Sequence, residues 1–390
     1  MDPVTNPFRP GAGRRPPVLA GRQDLLDAFD VVVRRSEELG EGDRSWVLTG
    51  LRGVGKTVIL NELLARVSSR GWITAKVEAG PAADLPVALS QALVRGMRTA
   101  TGRHPEPRLT RLLGVFRAFS LRFDPAGLSV GVDIDPIRGI ADSGRFADDL
   151  AALFEVLGET SRSLGVGTLI LIDELQQAQS PELGALNTAV HQIGQVDVPA
   201  PVIVVGAGLP SLPAQVARAT SYAERLYAFH TVGPLDDWAA VQALTEPTRA
   251  LGVEWHPDAL AQAVESARGY AYLLQTIGKH VWDLAASNPI SVDDVQTGLI
   301  AARREVDDGL YRSRWDRATS AQRDVLRALA ELGVGAAPVA DVARAAGRER
   351  TSDINTSRTQ LIQKGLLYAP ERGFLAFTVP GMDEFVQRQD

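Results

Sequence analysis

The stretch Thr49-Gly-Leu-Arg-Gly-Val-Gly-Lys-Thr57 follows the apolar run Trp46-Val-Leu48 and precedes a second one, Val58-Ile-Leu60. It satisfies the pattern G-x-x-x-x-G-K-[ST], whose required context is a strand before it and a helix after it. Glycines let backbone N–H groups turn inward around phosphate oxygens, a lysine adds charge on the β and γ phosphates, and a hydroxyl can ligate Mg²⁺. We therefore predict a nucleotide-phosphate site at this turn. Its predicted binding residues are Gly50, Arg52, Gly53, Val54, Gly55, Lys56, Thr57 and Val58.

Length and composition limit the other possibilities. The 390-residue chain is long enough for two or three domains, and 45% of its residues are hydrophobic. The formal net charge of −6 argues against binding nucleic acid or anionic membrane through bulk charge. The absence of cysteine excludes disulfides, thiolate catalysis and cysteine-ligated zinc. Because neither a signal sequence nor an apolar run of membrane-spanning length is present, we expect a soluble cytoplasmic protein without membrane contact.

Short apolar runs alternate with longer amphipathic stretches up to about residue 232, which is typical of a parallel sheet covered by helices. This predicts an α/β P-loop NTPase core over residues 1–232, with an inserted region at about 80–167 that contains a hairpin near 121–134. Helical periodicity then predicts an all-helical lid over 233–310. Three more helical patterns and a pair of strands predict a winged helix-turn-helix over 311–390. The five predicted strands are 45–49, 72–78, 168–172, 202–205 and 226–232.

The run Thr168-Leu-Ile-Leu-Ile-Asp-Glu174 ends a predicted strand with two carboxylates. Together with the phosphate loop, it predicts that Thr57 and Asp173 hold Mg²⁺ while Glu174 orients or deprotonates the attacking water. With Lys56, these residues are the expected catalytic set for hydrolysis. The alternative is that both acids only cap the following helix, where negative charge is favoured in any case.

The Asp-Glu pair, the box Leu19-Ala-Gly-Arg22 and the helical region downstream resemble the AAA+ and STAND ATPases. The most similar branch contains origin-recognition-type initiators and archaeal-type ATPases, in which a winged helix follows the lid. A group of bacterial ATP-binding proteins with helix-turn-helix tails is also similar. The resemblance implies ATPase activity with ATP and Mg²⁺, and an adenine pocket to which Gly21 and Arg22 contribute. A solvated Arg22 in a helix-starting loop is the alternative.

Other positions match that family only loosely. The fourth strand ends in Val205-Gly-Ala-Gly-Leu-Pro-Ser211, without the polar sensor that AAA+ proteins usually carry, which favours slow hydrolysis. In the lid, Tyr272 stands where initiator-type lids have an arginine. Arg225 precedes the fifth strand, where related ATPases place a catalytic arginine that contacts phosphate within the chain or across an interface. A surface ion pair with Glu224 or Asp236 is its alternative.

The last segment is electrically neutral, because residues 318–390 carry nine Lys plus Arg and nine Asp plus Glu. A recognition helix over 352–366 would present Arg358 to double-stranded DNA, and Arg348 in the turn before it would add a second contact. Since neutrality removes the nonspecific affinity of most DNA readers, a protein-docking or autoinhibitory role is the alternative. We expect an ATP-driven switch that controls this segment, or alternatively a regulator that binds ATP and ADP with little hydrolysis. A protein partner or self-association stays open.

Overall fold

The computed structural model describes residues 1–80, 84–101, 107–123, 135–333 and 335–389. They divide into two compact units. The first comprises Met1–Gln23, Gly50–Gly55 and Val232–Asp390, and the second Asp24–Thr49 and Lys56–Thr231. The boundary between the units therefore falls inside the phosphate loop motif. The three-part division 1–232, 233–310 and 311–390 stays a prediction.

A parallel sheet forms the centre of the second unit. Its strands are β1 (Ser45–Thr49), β2 (Ile73–Glu78), β3 (Thr168–Asp173), β4 (Val202–Gly208) and β5 (Tyr227–Thr231). Within the described residues the sheet has five strands in the order β2-β3-β4-β1-β5, paired in parallel throughout. Every residue of β1, β3 and β4 is buried, as expected for strands covered on both faces. The predicted α/β class is confirmed, and the predicted strands overlap all five.

Helices pack on this sheet and build the larger hydrophobic core, in which Phe116, Phe119 and Phe154 are buried. The inserted region contributes three of these helices, α3 to α5. One of them, α4, takes in the first residues of the predicted hairpin. Residues 121–123 complete this helix because an apolar-polar-apolar triplet fits the helical and the strand period equally well. The rest of that hairpin, 124–134, lies outside the described residues. The helices are α1 (Gln23–Leu39), α2 (Lys56–Ser68), α3 (Leu85–Thr101), α4 (Pro107–Phe123), α5 (Phe146–Ser163), α6 (Ser180–Gly194), α7 (Leu212–Ala219) and α8 (Ala223–Leu226).

A group of four helices and the N-terminal segment form a second core in the first unit. Phe8 is buried there, together with Leu274 and Trp282 of the third of these helices. The Trp282 indole N–H donates to the Asp2 carbonyl oxygen at 2.8 Å, which attaches the N-terminal segment to this helix. The predicted helical region is thus present. Its helices are α9 (Asp237–Arg249), α10 (Pro257–Ala267), α11 (Ala271–Leu284) and α12 (Val292–Val306).

The chain ends in short helices and a small antiparallel sheet, with strand order β6-β8-β7. The elements are α13 (Arg312–Trp315), α14 (Ser320–Glu331), β6 (Ala337–Pro338), α15 (Val339–Ala345), α16 (Asn355–Gln363), β7 (Leu367–Tyr368), β8 (Phe374–Phe377) and α17 (Met382–Gln387). The predicted helix 352–366 is too long, because its start is a 3₁₀ turn (Thr351–Ile354) and α16 stops before Gly365, whose φ is +66°. The winged-helix assignment stays a prediction.

A close backbone approach generates a stability prediction. A Cβ added at Gly96 in α3 would lie 1.9 Å from the carbonyl oxygen of Thr74 in β2. We therefore expect Gly96→Ala to lower the free energy of unfolding by about 1–3 kcal/mol, because α3 must move away from the sheet. The matched change Gly184→Ala in α6, where the nearest atom is 3.9 Å away, should be neutral or stabilise by up to about 1 kcal/mol. Urea unfolding measures both, and equal stabilities would contradict the close approach.

Candidate active site

The phosphate loop bends sharply between β1 and α2. Gly53 has φ +81° and Gly55 has φ +104°, a region that side chains other than glycine's rarely allow. A Cβ at Gly53 would also lie 2.0 Å from the Tyr270 hydroxyl oxygen, whereas a Cβ at Gly55 would meet no atom within 4 Å. Gly53 is therefore required by both conformation and crowding, and Gly55 by conformation.

Residues at the start of α11 bind carbonyl groups of the loop, all within the first unit. The Tyr270 hydroxyl donates to the Arg52 carbonyl oxygen at 2.7 Å. The Tyr272 backbone N–H donates to the Gly53 carbonyl oxygen at 3.2 Å. Burial raises the pKa of Tyr270, so its hydroxyl keeps the proton that it donates. Sequence reasoning noted Tyr272 only as standing where initiator-type lids have an arginine, and it assigned Tyr270 no role.

Arg22 binds the same loop from the N-terminal side. Its Nη2 donates to the carbonyl oxygens of Val54 at 3.2 Å and Gly233 at 2.7 Å. Burial lowers its pKa, and the nearby charge of Asp236 acts in the opposite direction. The alternative of a solvated Arg22 is therefore wrong, because the guanidinium donates hydrogen bonds to main-chain carbonyl oxygens. The adenine contacts of Gly21 and Arg22 stay predictions.

The loop also contacts the last segment of the chain. The Arg52 backbone N–H donates to the Thr378 carbonyl oxygen at 3.0 Å. The Arg52 guanidinium lies beside the turn after α16, where a Cβ on Gly365 would stand 3.0 Å from Nη2. The Thr378 hydroxyl in turn donates to the Gly365 carbonyl oxygen at 2.8 Å. The phosphate loop and the C-terminal elements therefore share one hydrogen-bonded assembly.

In the second unit, Thr57 and Asp173 stand side by side. The Thr57 hydroxyl donates to Asp173 Oδ2 at 2.6 Å, and Asp173 Oδ1 accepts the Glu174 backbone N–H at 2.9 Å. Lys56, at the first position of α2, is buried at 6% exposure. Among the described residues, no group of three or more His, Cys, Asp or Glu could hold a metal. One hydroxyl and one carboxylate fit Mg²⁺, which takes few protein oxygens and completes its shell with water and substrate phosphates.

Glu174 has a partner that sequence reasoning missed. Its φ is +49°, a left-handed conformation that is unusual for glutamate, and such outliers concentrate at functional sites. Its Oε2 accepts a hydrogen bond from Gln176 Nε2 at 2.6 Å. Gln176 Oε1 accepts the backbone N–H of Leu209 at 3.1 Å, just after β4. Gln176 thus places a polar side chain beside the end of β4, where the sequence lacks the expected sensor.

Arg225 lies at the amino-terminal ends of the strands, away from Asp173. It is in α8, just before β5, whose residues Tyr227 and Thr231 pair with Ser45 and Thr49. Because the strands are parallel and about 16 Å long, Arg225 is at the edge opposite to Asp173. Its side chain is exposed and makes no ion pair within the described part of the second unit. This geometry opposes phosphate contact within the same chain, and contact across an interface stays a prediction.

The predicted DNA-contacting arginines lie in the C-terminal elements. Arg348 is exposed in the turn after α15, and Arg358 is half-buried in α16. Gln360, also on α16, accepts a hydrogen bond from Gln322 Nε2 at 2.6 Å. Both arginine contacts stay predictions.

Comparisons with known proteins bear on the family and the fold. Residues 18–205 match the family model described as an AAA ATPase domain. Residues 308–386 match the model of a domain of unknown function. No curated protein sequence matches the chain. Every helix among the described residues is too short or too polar to span a bilayer.

Solved structures resemble the chain over nearly its whole length. The Walker-type ATPase PABY2304 of Pyrococcus abyssi has a TM-score of 0.60 at 15% identity, with 98% of this chain and 99% of that chain covered. The ORC2 protein of Aeropyrum pernix, in ADPNP-ADP complexes, has a TM-score of 0.56 at 16% identity, with 96% and 95% covered. Its ADP form has a TM-score of 0.55 at 16% identity, with 98% of each chain covered. At these identities the likeness establishes the fold.

The buried Lys56 generates a binding prediction. Lys56→Ala removes the charge that would neutralise phosphate, so we expect it to abolish thermal stabilisation by Mg·ATP. In the native protein this stabilisation should reach about 2.7 kcal/mol at a ligand concentration of 100 Kd. Lys279→Ala, which breaks a lid ion pair with Glu305, is the matched control and should keep the shift. An unchanged shift in Lys56→Ala would contradict the phosphate-site assignment.

Proposed function

We propose that the bound nucleotide controls the C-terminal segment and, through it, contact with double-stranded DNA. The starting point is the fold and the AAA ATPase domain, which identify an AAA+ P-loop ATPase. The chain is an ATPase. We further propose Mg²⁺ as its cofactor and a C-terminal winged helix as the element that responds to the nucleotide.

The residues of the site divide the chemistry among them. Lys56 and the loop amides would bind the β and γ phosphates, and Thr57 with Asp173 would hold Mg²⁺. Bound Mg²⁺ would supply charge neutralisation on the phosphate oxygens. Glu174 would accept a proton from the attacking water, and Gln176 would fix the direction of its carboxylate.

The hydrogen bond from the Arg52 N–H to the Thr378 carbonyl oxygen is the observation that carries the switch. It joins a predicted phosphate-binding residue directly to the C-terminal elements, so a ligand that shifts the loop must also act on them. Ion pairs between helices of the same unit extend the connection. Arg268 pairs with Glu384 at 2.7 Å, and Arg388 pairs with Asp307 at 2.8 Å.

The hydrogen bond between Gln176 and Glu174 also supports a second candidate function. Glu174 Oε2 already accepts a hydrogen bond at 2.6 Å, so one of the lone pairs that could receive a proton from water is occupied. If this bond persists with ATP bound, the protein would act as a regulator that binds ATP and ADP and hydrolyses ATP slowly. The C-terminal segment would then dock on DNA or on a protein according to the bound nucleotide.

Glu174→Gln separates turnover from binding. The amide keeps the shape of the side chain but cannot accept the proton, so we expect kcat to fall about 100-fold or more with little change in ATP affinity. Glu159→Gln, the same change at an exposed position of α5, should leave kcat unchanged. Native turnover in Glu174→Gln would assign Glu174 to the capping alternative. A kcat near zero in the native protein would favour the slow regulator.

Arg348→Ala with Arg358→Ala tests the DNA target. Each lost phosphate contact should reduce the slope of log affinity against log salt by about one unit. Arg249→Ala, at an exposed lid position, is the control. The native protein should bind duplex DNA at about 50 mM salt, where electrostatic affinity is high, with different affinities in the ADP and ATP-analogue states. Absence of duplex binding in every nucleotide state would overturn the DNA target and leave the protein-docking alternative.

A further inference from the structure

Three consecutive carbonyl groups of the phosphate loop accept hydrogen bonds from residues outside the loop. The acceptors are the oxygens of Arg52, Gly53 and Val54. Their donors are Tyr270, Tyr272 and Arg22, and all six residues belong to the first unit. Two of the donors are side chains, and the third is the backbone N–H of Tyr272.

The geometry of the peptide bond gives these contacts a consequence for the phosphate site. In a planar trans peptide the C=O and the following N–H point in opposite directions. A carbonyl held towards Tyr270, Tyr272 or Arg22 therefore turns the next amide the other way. The amides concerned are those of Gly53, Val54 and Gly55. Successive N–H groups that point to one side form an anion-binding concavity.

We propose that Tyr270 and Arg22 are positioning residues for the phosphate cradle, fixing the direction of its amides through hydrogen bonds to the carbonyls of Arg52 and Val54. This inference deepens the proposed function and rests on it. It assigns Tyr270 a role in phosphate binding, and it assigns Arg22 a role beyond the adenine contact expected from the sequence. Tyr270 is suited to this role because it is buried at 5% exposure and its hydroxyl oxygen approaches the loop at Gly53.

Arg22 reinforces the arrangement by binding two oxygens at once. The same Nη2 atom donates to Val54 and to Gly233, which follows directly after the Val232 boundary of the first unit. A planar guanidinium with fixed donors holds two carbonyls at a set separation better than a flexible ammonium does. Arg22 therefore joins the loop to the chain that leads into α9.

The first experiment compares Tyr270→Phe with Tyr222→Phe, the same change at a tyrosine that stacks on His191 in the second unit. Tyr270→Phe keeps the ring beside Gly53 but removes the donor, so the Kd of Mg·ATP and the inhibition constant of inorganic pyrophosphate should both rise about three- to tenfold. Tyr222→Phe likewise removes one hydroxyl and keeps the ring stacked on His191, so both constants should stay at native values. The measurements are made well below the melting temperature, where a merely structural change would not move them.

Inorganic pyrophosphate makes the test specific, because it lacks the base and the sugar. If Tyr270→Phe has the same constants as Tyr222→Phe and the native protein, the role of Tyr270 is overturned. If the Kd of ATP rises in Tyr270→Phe while pyrophosphate inhibition is unchanged, the role is also overturned, because the residue then acts on the adenosine part.

The second variant applies the same criterion to Arg22. Arg22→Ala should weaken pyrophosphate as well as ATP, by a factor at least as large as for Tyr270→Phe, because two carbonyls lose their donor. An effect on ATP alone would overturn the positioning role of Arg22 and support the adenine contact. If the native protein binds neither ATP nor pyrophosphate, the proposed function itself fails, which distinguishes that failure from a failure of this inference.

Discussion

The parallel register of β1, β4 and β3 is the constraint on which the chemistry depends. β4 lies between the two others. Its Ala207 pairs with Leu48 of β1, and its Gly206 pairs with Ile172 of β3. Because parallel strands end at the same edge, the start of α2 and the end of β3 are brought together there. The hydrogen bond from Thr57 to Asp173 follows from this register. Neither residue could meet the other through local sequence alone, since 116 positions separate them.

The parts of this fold that sequence could predict are those with a strong local pattern. Buried parallel strands are short apolar runs, so all five strands were located, and the phosphate motif with its Asp-Glu partner is recognisable from residue types. Gln176 could have been suspected, since it follows the acidic pair by two residues. Its contact with Leu209 depends on the order of strands in the sheet, which the local pattern does not contain.

The features that sequence could not predict either are too short to carry a pattern or join distant positions. β6 consists of two residues and includes a proline, which is too little for a period-two pattern to appear. The hydrogen bonds of Tyr270 and Arg22 join positions that are 218 and 32 residues apart in the sequence. The local sequence does not distinguish Tyr270 from a tyrosine that only packs in the core. Arg225 was assigned from its position before a strand. In a parallel sheet that position lies at the amino-terminal ends of the strands, opposite to the phosphate loop, and the parallel pairing of β5 with β1 confirms this.

The phosphate loop is covalently continuous with the sheet but belongs to the unit whose other parts are residues 1–23 and 232–389. This division affects the order in which a ribosome can complete the two units. The chain of the second unit has been synthesised once residue 231 is added, so its sheet and helices can assemble while the rest is still being translated. The N-terminal segment must wait for α11, more than 260 residues later, before Phe8 and Asp2 find their partners. A nascent chain that stops before the lid would therefore contain a folded sheet and a phosphate loop that lacks its hydrogen bonds to Tyr270 and Tyr272.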